Sequence, residues 1–445
     1  MHELLIKTEE FKNSGVGRIP KDWQIKTLEE CVCPDAQITY GIVQAGPHIE
    51  DGIPYIRTGD MAGDKLKLEG LLRTSPKIAL SYRRSEVKTG EIVCAIRATV
   101  GKVLEVPPEL DGANLTQGTA RISPNHNINN RFLLWVLRSS YAQLQFNLAV
   151  KGTTFAEITL ENLRKIKVPL PSSQEEQEKI SAILDTVDEA ITRTSSLIIK
   201  LKQTKAGLLQ DLLTRGLDEN GKLRDPQAHP EQFKDSSLGR IPFDWQYKRL
   251  EEIALKVTDR DHTTPTYLEN GVILVSPVNF INDEDINFAD CKRISYSAHL
   301  QNRKKTDICC GDIILHRIGA GLGRVRLVTQ EMPEFSILHS LCMVRPNENW
   351  VIPFYLLWTF RTHTTQAQMD LGTQSIGVPD LGLDKILSLI FPVPPLSEQR
   401  KIVDALNAHQ DGIRKEEVYL NKLKLKKQGL MQDLLTGKVR VKNIK

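Results

Sequence analysis

Basic side chains gather beside glycine at two places in the chain. Arg97 and Lys102 flank a turn in GEIVCAIRATVGKV (Gly90 to Val103), and Arg317, Arg324 and Arg326 surround another in GDIILHRIGAGLGRVR (Gly311 to Arg326). A guanidinium or ammonium next to flexible glycine suits contact with phosphate oxygens, and arginine can also form paired hydrogen bonds to a guanine edge. A polar and aromatic cluster, Tyr40, Gln44, Arg57 and Thr58, lies in ITYGIVQ and IPYIRTGD. The corresponding stretch further on, DRDHTTPTYLENGVILVSPVNF (Asp259 to Phe280), has different chemistry, with His262 and Thr263 expected where Tyr40 and Gly41 stand. These eleven residues, Gly41 aside, are the candidate nucleic-acid contacts.

Motifs for catalysis are mostly missing. Lys102, Lys222 and Lys438 each follow a glycine, but none is followed by Ser or Thr as a phosphate-binding loop requires. Neither G-x-S-x-G nor H-E-x-x-H occurs, and the Asn/Asp-Pro-Pro-aromatic tetrapeptide of amino-methyltransferases is absent. GAGLGR (Gly319 to Arg324) resembles a nucleotide-binding glycine loop. Such a loop should open a helix, whose first amides bind the anion, yet RVRLV continues as a β-rich run. A turn between two strands is therefore expected.

The elements that must position these residues are duplicated. SGVGRIPKDWQIKTLEE (Ser14 to Glu30) and SSLGRIPFDWQYKRLEE (Ser236 to Glu252) share twelve of seventeen positions at an offset of 222, and LLQDLLT (Leu208 to Thr214) recurs as LMQDLLT at Leu430 to Thr436. Solenoid repeats run at roughly 20–50 residues, so this period is a duplicated domain. Trp23 and Trp245, inside the repeated segment, read as core anchors. The interiors, Cys31 to Lys151 and Ile253 to Leu371, match only in patches. A conserved frame thus carries two different contents.

Each half closes on a long amphipathic helix. In the first, Ile180, Leu184, Val187, Ile191, Ile198, Leu201, Leu208 and Leu212 recur at steps of three and four, and Ser172 with Glu175 suggests a capping box. In the second, Ile402, Leu406, Ile413, Leu420, Leu423, Leu430 and Leu434 repeat the stripe. About 40 residues make a rod of about 60 Å, which needs a partner surface to persist. The simplest partner is the other copy, in antiparallel pairing, with one globular domain at each end. Gly216 is the expected stop of the first rod. The expected fold is α+β: a first globular domain at 1–172, a spacer helix at 173–216, a linker with the second domain at 217–395, and a second helix with a basic tail at 396–445. β-rich runs are expected at Gly52 to Arg57, Glu91 to Ile96, Gly118 to Ile122, Val272 to Val275, Asp312 to Leu315 and Arg324 to Val328, with helices over Asn130 to Leu148 and Pro353 to Met369.

At 445 residues each half can bury its own core, and a net charge of +4 is too small to argue for nucleic acid by itself. Seven cysteines without a C-x-x-C pair read as free thiols in a reducing compartment rather than as disulfides or a metal site. The polar MHELLIKTEE and the lack of any run near 18 apolar residues point to a cytoplasmic protein away from membranes.

The doubled G-x-I-P-x-x-W, the G-[DE]-I-[IV] run before a basic glycine turn, and the E-Q-x-K-I opening of a long helix ending Q-D-L-L-T resemble the specificity subunit of type I restriction-modification systems, over nearly the whole chain. That resemblance implies two target-recognition domains that each read one part of a split, asymmetric site in double-stranded DNA, with the helices setting the gap. It implies docking of two methyltransferase subunits, joined by motor-nuclease subunits. Catalysis with S-adenosylmethionine, and with ATP and Mg, belongs to those partners, and no cofactor is expected on this chain. The alternatives are a self-contained DNA-modifying enzyme of related type, for which the two halves leave no space, and a coiled-coil scaffold that does not bind DNA.

Overall fold

A computed structural model describes residues 11–151, 156–236, 239–263, 265–282, 284–373 and 377–441. The chain divides into two compact units, neither of them contiguous with one simple half: Met1–Ser196 with Val418–Lys445, and Leu197–Glu417. Each unit therefore takes a piece of both long helices, Gln174–Thr214 and Leu396–Leu434.

The first unit is built on a four-stranded antiparallel sheet in the order Thr39–Tyr40, Thr119–Ile122, Ile92–Ala95, Val103–Glu105. Alternate residues of a strand face opposite sides, and here both sides are covered. Ile92, Cys94 and Val103 join one core with Trp135, Phe132 and Phe146. Val93, Ala95 and Leu104 join another with Ile56, Met61 and Leu115. That explains why the strand is apolar throughout rather than alternating. The helical stretch expected over Asn130 to Leu148 is two helices, Asn130–Arg138 and Ser140–Ala149. Ser139 breaks it by capping the second, its Oγ accepting the Ala142 N–H.

The second unit repeats the plan. Ala254–Asp259, Leu341–Pro346, Ile313–His316 and Val325–Leu327 form a sheet of the same order and sense. Ile313, Leu315 and Val325 face one core and Ile314 and Met343 another. Pro353–Phe360 and His363–Gly372 replace the single helix expected there, divided where the Thr362 hydroxyl caps the second.

The repeated sequence segments form the joint between sheet and long helices. Gln24–Thr27 pairs with Lys167–Leu170, and Gln246–Arg249 with Ile390–Val393. Trp23 and Trp245 are fully buried beside these pairs. In the first unit Ile180 and Leu184 pack with Leu434 and Leu435, and Lys427 meets Asp188. In the second Leu212 and Leu213 pack with Ile402 and Leu406, while Lys202 meets Glu417 at 2.7 Å. In both, rising numbers on one helix meet falling numbers on the other, so the pairing is antiparallel within each unit. Of the expected pairing stripe, Ile180, Leu184, Val187, Ile198, Ile402, Leu406, Ile413 and Leu423 are buried, while Ile191, Leu201, Leu208, Leu420 and Leu430 are half-buried.

Two details of the helix ends differ from or refine the sequence reading. The cap of the first long helix is Ser173, whose Oγ accepts the Glu176 N–H at 3.4 Å, while the Ser172 hydroxyl donates to the Asp22 carbonyl. Gly216 follows the end of that helix with φ +64°, and a Cβ there would lie 2.5 Å from the Trp245 ring. Its counterpart Gly437, φ +67°, backs onto Pro20 and Trp23. Among the described residues, no helix is long and apolar enough to cross a membrane.

Candidate nucleic-acid interface

Both basic glycine turns are hairpins. Ile92–Ala95 pairs with Val103–Glu105 across the first, and Ile313–His316 with Val325–Leu327 across the second. GAGLGR accordingly joins two strands and opens no helix.

In the first unit the candidate residues converge on the segment from Leu115 to Gly118. The Gly41 and Ile42 amides donate to the Thr116 and Leu115 carbonyls, the Thr116 amide to Ile56, and the Ile96 amide to Gly118. Backbones this close need small residues: a Cβ on Gly41 would sit 1.9 Å from the Leu115 carbonyl oxygen. One on Gly118 would meet Thr58 at 3.2 Å and Arg97 at 3.8 Å, so those two side chains flank it. Tyr40 and Gln44 are exposed beside them. Arg57 folds back on its own turn, donating from Nε and Nη2 to Asp60 at 3.0 Å each, which raises its pKa. Arg97 pairs with Glu157 at 3.0 Å with both side chains nearly half exposed, and the Lys102 ammonium donates to the Ala62 carbonyl.

The second unit is organised differently. His262 and Thr263 are exposed on a turn. The His262 ring lies 5.0 Å from that of His339 and its Nε2 is 3.3 Å from Asp259. Burial, then the neighbouring His262, Arg260 and Arg317, holds the His339 pKa below the usual histidine value. Arg324 is half-buried, donating to the Pro277 carbonyl at 3.1 Å and to Gly321 at 3.1 Å. Arg317 is buried, 3.4 Å from Asp380 and 3.7 Å from Asp259.

Three expectations change with the register. Arg326 is 1% exposed, with its guanidinium spent on the carbonyls of Asn282, Asp285 and Val325, so it does not present itself to a ligand. It pairs across the hairpin with Ile314 and takes the sheet position of core residue Leu104. Arg97 and Arg317 are not equivalents. The Ile96 amide bonds Gly118 and the Arg317 amide bonds Ser340, so Arg317 matches Ile96, while Arg97 matches Ile318, each bridging an acidic residue, Glu157 or Asp380. A shift of one residue turns a strand's side chains to the other face. Likewise Tyr40, which pairs Ala120, matches Asp259, which pairs Cys342. His262 and Thr263 lie three residues beyond, and the residue opposite Gly41 is Arg260, which sequence reading missed. The offset between halves is 222 at Trp23 and Trp245 but 219 at Tyr40 and Asp259 and 221 at Ile96 and Arg317, so no single shift could reveal it.

No second chemistry emerges at the cysteines. All seven are free, and burial pushes the thiol pKa of Cys31, Cys94 and Cys342 up to about 12. Among the described residues no group of three or more His, Cys, Asp or Glu is placed to hold a metal.

The duplicated frame with divergent contents finds its match in a family described as type I restriction modification DNA specificity domain, which aligns twice, over residues 20–203 and 242–425. The chain belongs to this family. A putative type I restriction enzyme MjaX specificity subunit of Methanocaldococcus jannaschii is 26% identical over 98% of both chains. The type I restriction enzyme EcoBI specificity subunit of Escherichia coli is 28% identical over 45% of this chain and 44% of its own. Among solved structures, the type I restriction-modification S subunit from M. genitalium superposes with a TM-score of 0.55 at 16% identity, covering 93% of this chain and 96% of its own. A chain from a structure concerned with complex assembly and conformational transition of the type I R-M system gives 0.56 at 17% identity, over 95% and 99%. These two superpositions establish a shared fold for the specificity subunit. Its two family domains end within the long helices, so the helices belong to the duplicated architecture and are not an appendage.

Proposed function

We propose that this specificity subunit reads a bipartite, asymmetric site in double-stranded DNA, one part through each unit, within a type I restriction-modification complex. The observation that carries the reading is the pairing of a repeated sheet and joint with non-repeated residues at matched positions: Tyr40 against Asp259, Gly41 against Arg260, Ile96 against Arg317. Contacts to phosphate carry no sequence information, whereas side chains that differ at matched positions can choose bases. In the first unit Tyr40, Gln44, Thr58, Arg97 and Lys102 are the proposed DNA contacts, with Arg57 holding its turn. In the second they are His262, Thr263 and Arg324, with Arg317.

In this reading the first recognition domain is 1–172, the linker and second recognition domain 217–395, and the spacer helices, one within 173–216 and the other within 396–445 ahead of a basic tail, set the distance between half-sites. The chain docks two methyltransferase subunits, which use S-adenosylmethionine, and the complex is completed by motor-nuclease subunits that use ATP and Mg. It works in the cytoplasm, where chromosomal DNA is.

The test is to co-produce the chain with its methyltransferase subunit and map the methylated motif, then exchange Cys31 to Lys151 for the matching region of another specificity subunit. One half-site should change and the other persist. A motif altered in both parts, or methylation without any motif, would remove the assignment.

A further inference from the structure

Among the described residues, twelve buried side-chain polar atoms lack a hydrogen-bond partner, and seven of them lie in one cluster of the second unit. They are Nε and Nη1 of Arg260, Nε and Nη1 of Arg317, Nδ1 of His339, Oγ of Ser340 and Oδ1 of Asp380. Both arginines are 5% exposed. Four of the seven are guanidinium nitrogens that can only donate, one is a carboxylate oxygen, and the histidine nitrogen and serine hydroxyl can serve either way, so the cluster is short of acceptors. Asp259 and Asp380 balance the charge but stand at 3.7 and 3.4 Å from Arg317, in positions that do not satisfy its Nε or Nη1. A buried donor without a partner is costly, so such a concentration in one place points to a ligand that supplies acceptors.

The fold does not require these arginines. The first unit has the same sheet with Gly41 opposite Arg260 and Ile96 opposite Arg317. A contact to phosphate serves any sequence and would be kept in both copies, whereas two forked donors present in one copy alone suit a base edge. The edge that offers two acceptors to arginine is that of guanine, through O6 and N7. We propose that Arg260 and Arg317 form a guanine-reading pair that fixes part of the second half-site, an assignment that rests on the DNA-reading function above. The turn from Asp261 to Thr263 is exposed; Arg260 Nη2 donates to the Thr263 carbonyl at 2.9 Å and hydroxyl at 3.2 Å, His262 lies 3.3 Å from Asp259, and Asp261 pairs with Lys305. DNA that lifts this turn exchanges those bonds for the base acceptors. Asp259 and Asp380 hold the Arg317 guanidinium in place until then.

The experiment uses the full chain in complex with its methyltransferase subunit. The methylated motif is mapped, its second half-site is identified by the exchange of Cys31 to Lys151, and each guanine of that half-site is replaced singly by 7-deazaguanine, which lacks the N7 acceptor. At one or two guanines the wild-type complex should bind roughly 2- to 12-fold more weakly, because the N7 bond of the bidentate contact is lost while O6 remains. Arg260→Lys and Arg317→Lys keep the charge but not the fork, and in them the same replacement should cost little further, while the first half-site is read as before. A second half-site without guanine on either strand, 7-deazaguanine without effect at every position, or variants that weaken all duplexes equally with the motif intact would each overturn the pair. The replacement is made in the DNA, so the wild-type protein tests the idea even if a variant fails to fold. A complex that yields no bipartite motif removes the DNA-reading function and this pair with it.

Discussion

The two joints between sheet and long helices perform one task with different chain segments. In the second unit Glu398 gathers Arg224 Nη1 at 2.7 Å, the Trp245 indole at 3.1 Å and the Leu217 amide at 2.7 Å. In the first, Glu176 takes Arg440 Nε at 2.7 Å and Nη2 at 2.9 Å, Arg440 also grips Asp22 through two bonds of 2.8 Å, and the Trp23 indole N–H has no partner. Arg224 lies eight residues beyond Gly216 and Arg440 three beyond Gly437. Duplication thus preserved the acceptor at the start of each helix, while the cation arrived from unrelated sequence after each helix end. In both joints the arginine bridges two carboxylates, Arg440 joining Glu176 to Asp22 and Arg224 joining Glu398 to Asp244 at 3.3 Å, and the difference is that Glu398 alone also takes an indole and a backbone amide.

The largest break in this comparison is Glu398→Ala. It leaves Arg224, only 11% exposed, without its main partner and strands two further donors. A loss of about 3 kcal/mol or more in the second unit is expected in chemical unfolding. Glu176→Ala should cost distinctly less, because it strands no indole or amide and Arg440 keeps two bonds of 2.8 Å to Asp22, where Arg224 would keep one of 3.3 Å to Asp244; equal losses would contradict this contrast. Next comes Gly216→Ala, where positive φ and the Trp245 ring together should cost about 2 kcal/mol, read as a lower denaturation midpoint with an unchanged slope.

A sharper contrast comes from the tryptophans. Trp245→Phe removes a bond to a buried carboxylate and should destabilise by about 1.5 kcal/mol beyond the loss of ring area, whereas Trp23→Phe loses no hydrogen bond. The difference between the two variants is the quantity to measure. The smallest effect concerns acid. Hydrogen bonds from Lys256 foremost, and from Arg345, lower the Asp307 pKa from 3.8 to about 2. Its folded value lies below its unfolded one, so its contribution is present above about pH 4 and is lost as pH falls toward 2. With the carboxylate 41% exposed, screening leaves under about 1 kcal/mol. Asp307→Asn should flatten the acid limb of stability in that window only.

How much was legible depended on what kind of constraint each residue answers to. Strands such as Val272–Val275 and the hairpin around Gly319 to Arg324 could be placed because runs of β-formers and glycine respond to local geometry. The helix breaks at Ser139 and Thr362 lay in short polar stretches, RSS and RTHTT, where a hydroxyl's choice between capping and solvent is not written in periodicity. Arg317 and Arg326 look alike in sequence beside the same turn. One lies near two aspartates and the other is sealed by backbone carbonyls.

By itself the sequence determined that the protein is two copies of one unit, that each copy ends in a long helix with one apolar stripe, and that the interiors diverge. Those are properties of identity and spacing along the chain, and they survive in any alignment. Only the tertiary structure decided that each unit borrows half of a helix from the other end of the chain, and which residues stand in equivalent places. The physical reason is that equivalence across a sheet is set by hydrogen-bond register. Insertions in loops move the offset from 222 to 219 and to 221, and each odd step turns a side chain from one face to the other.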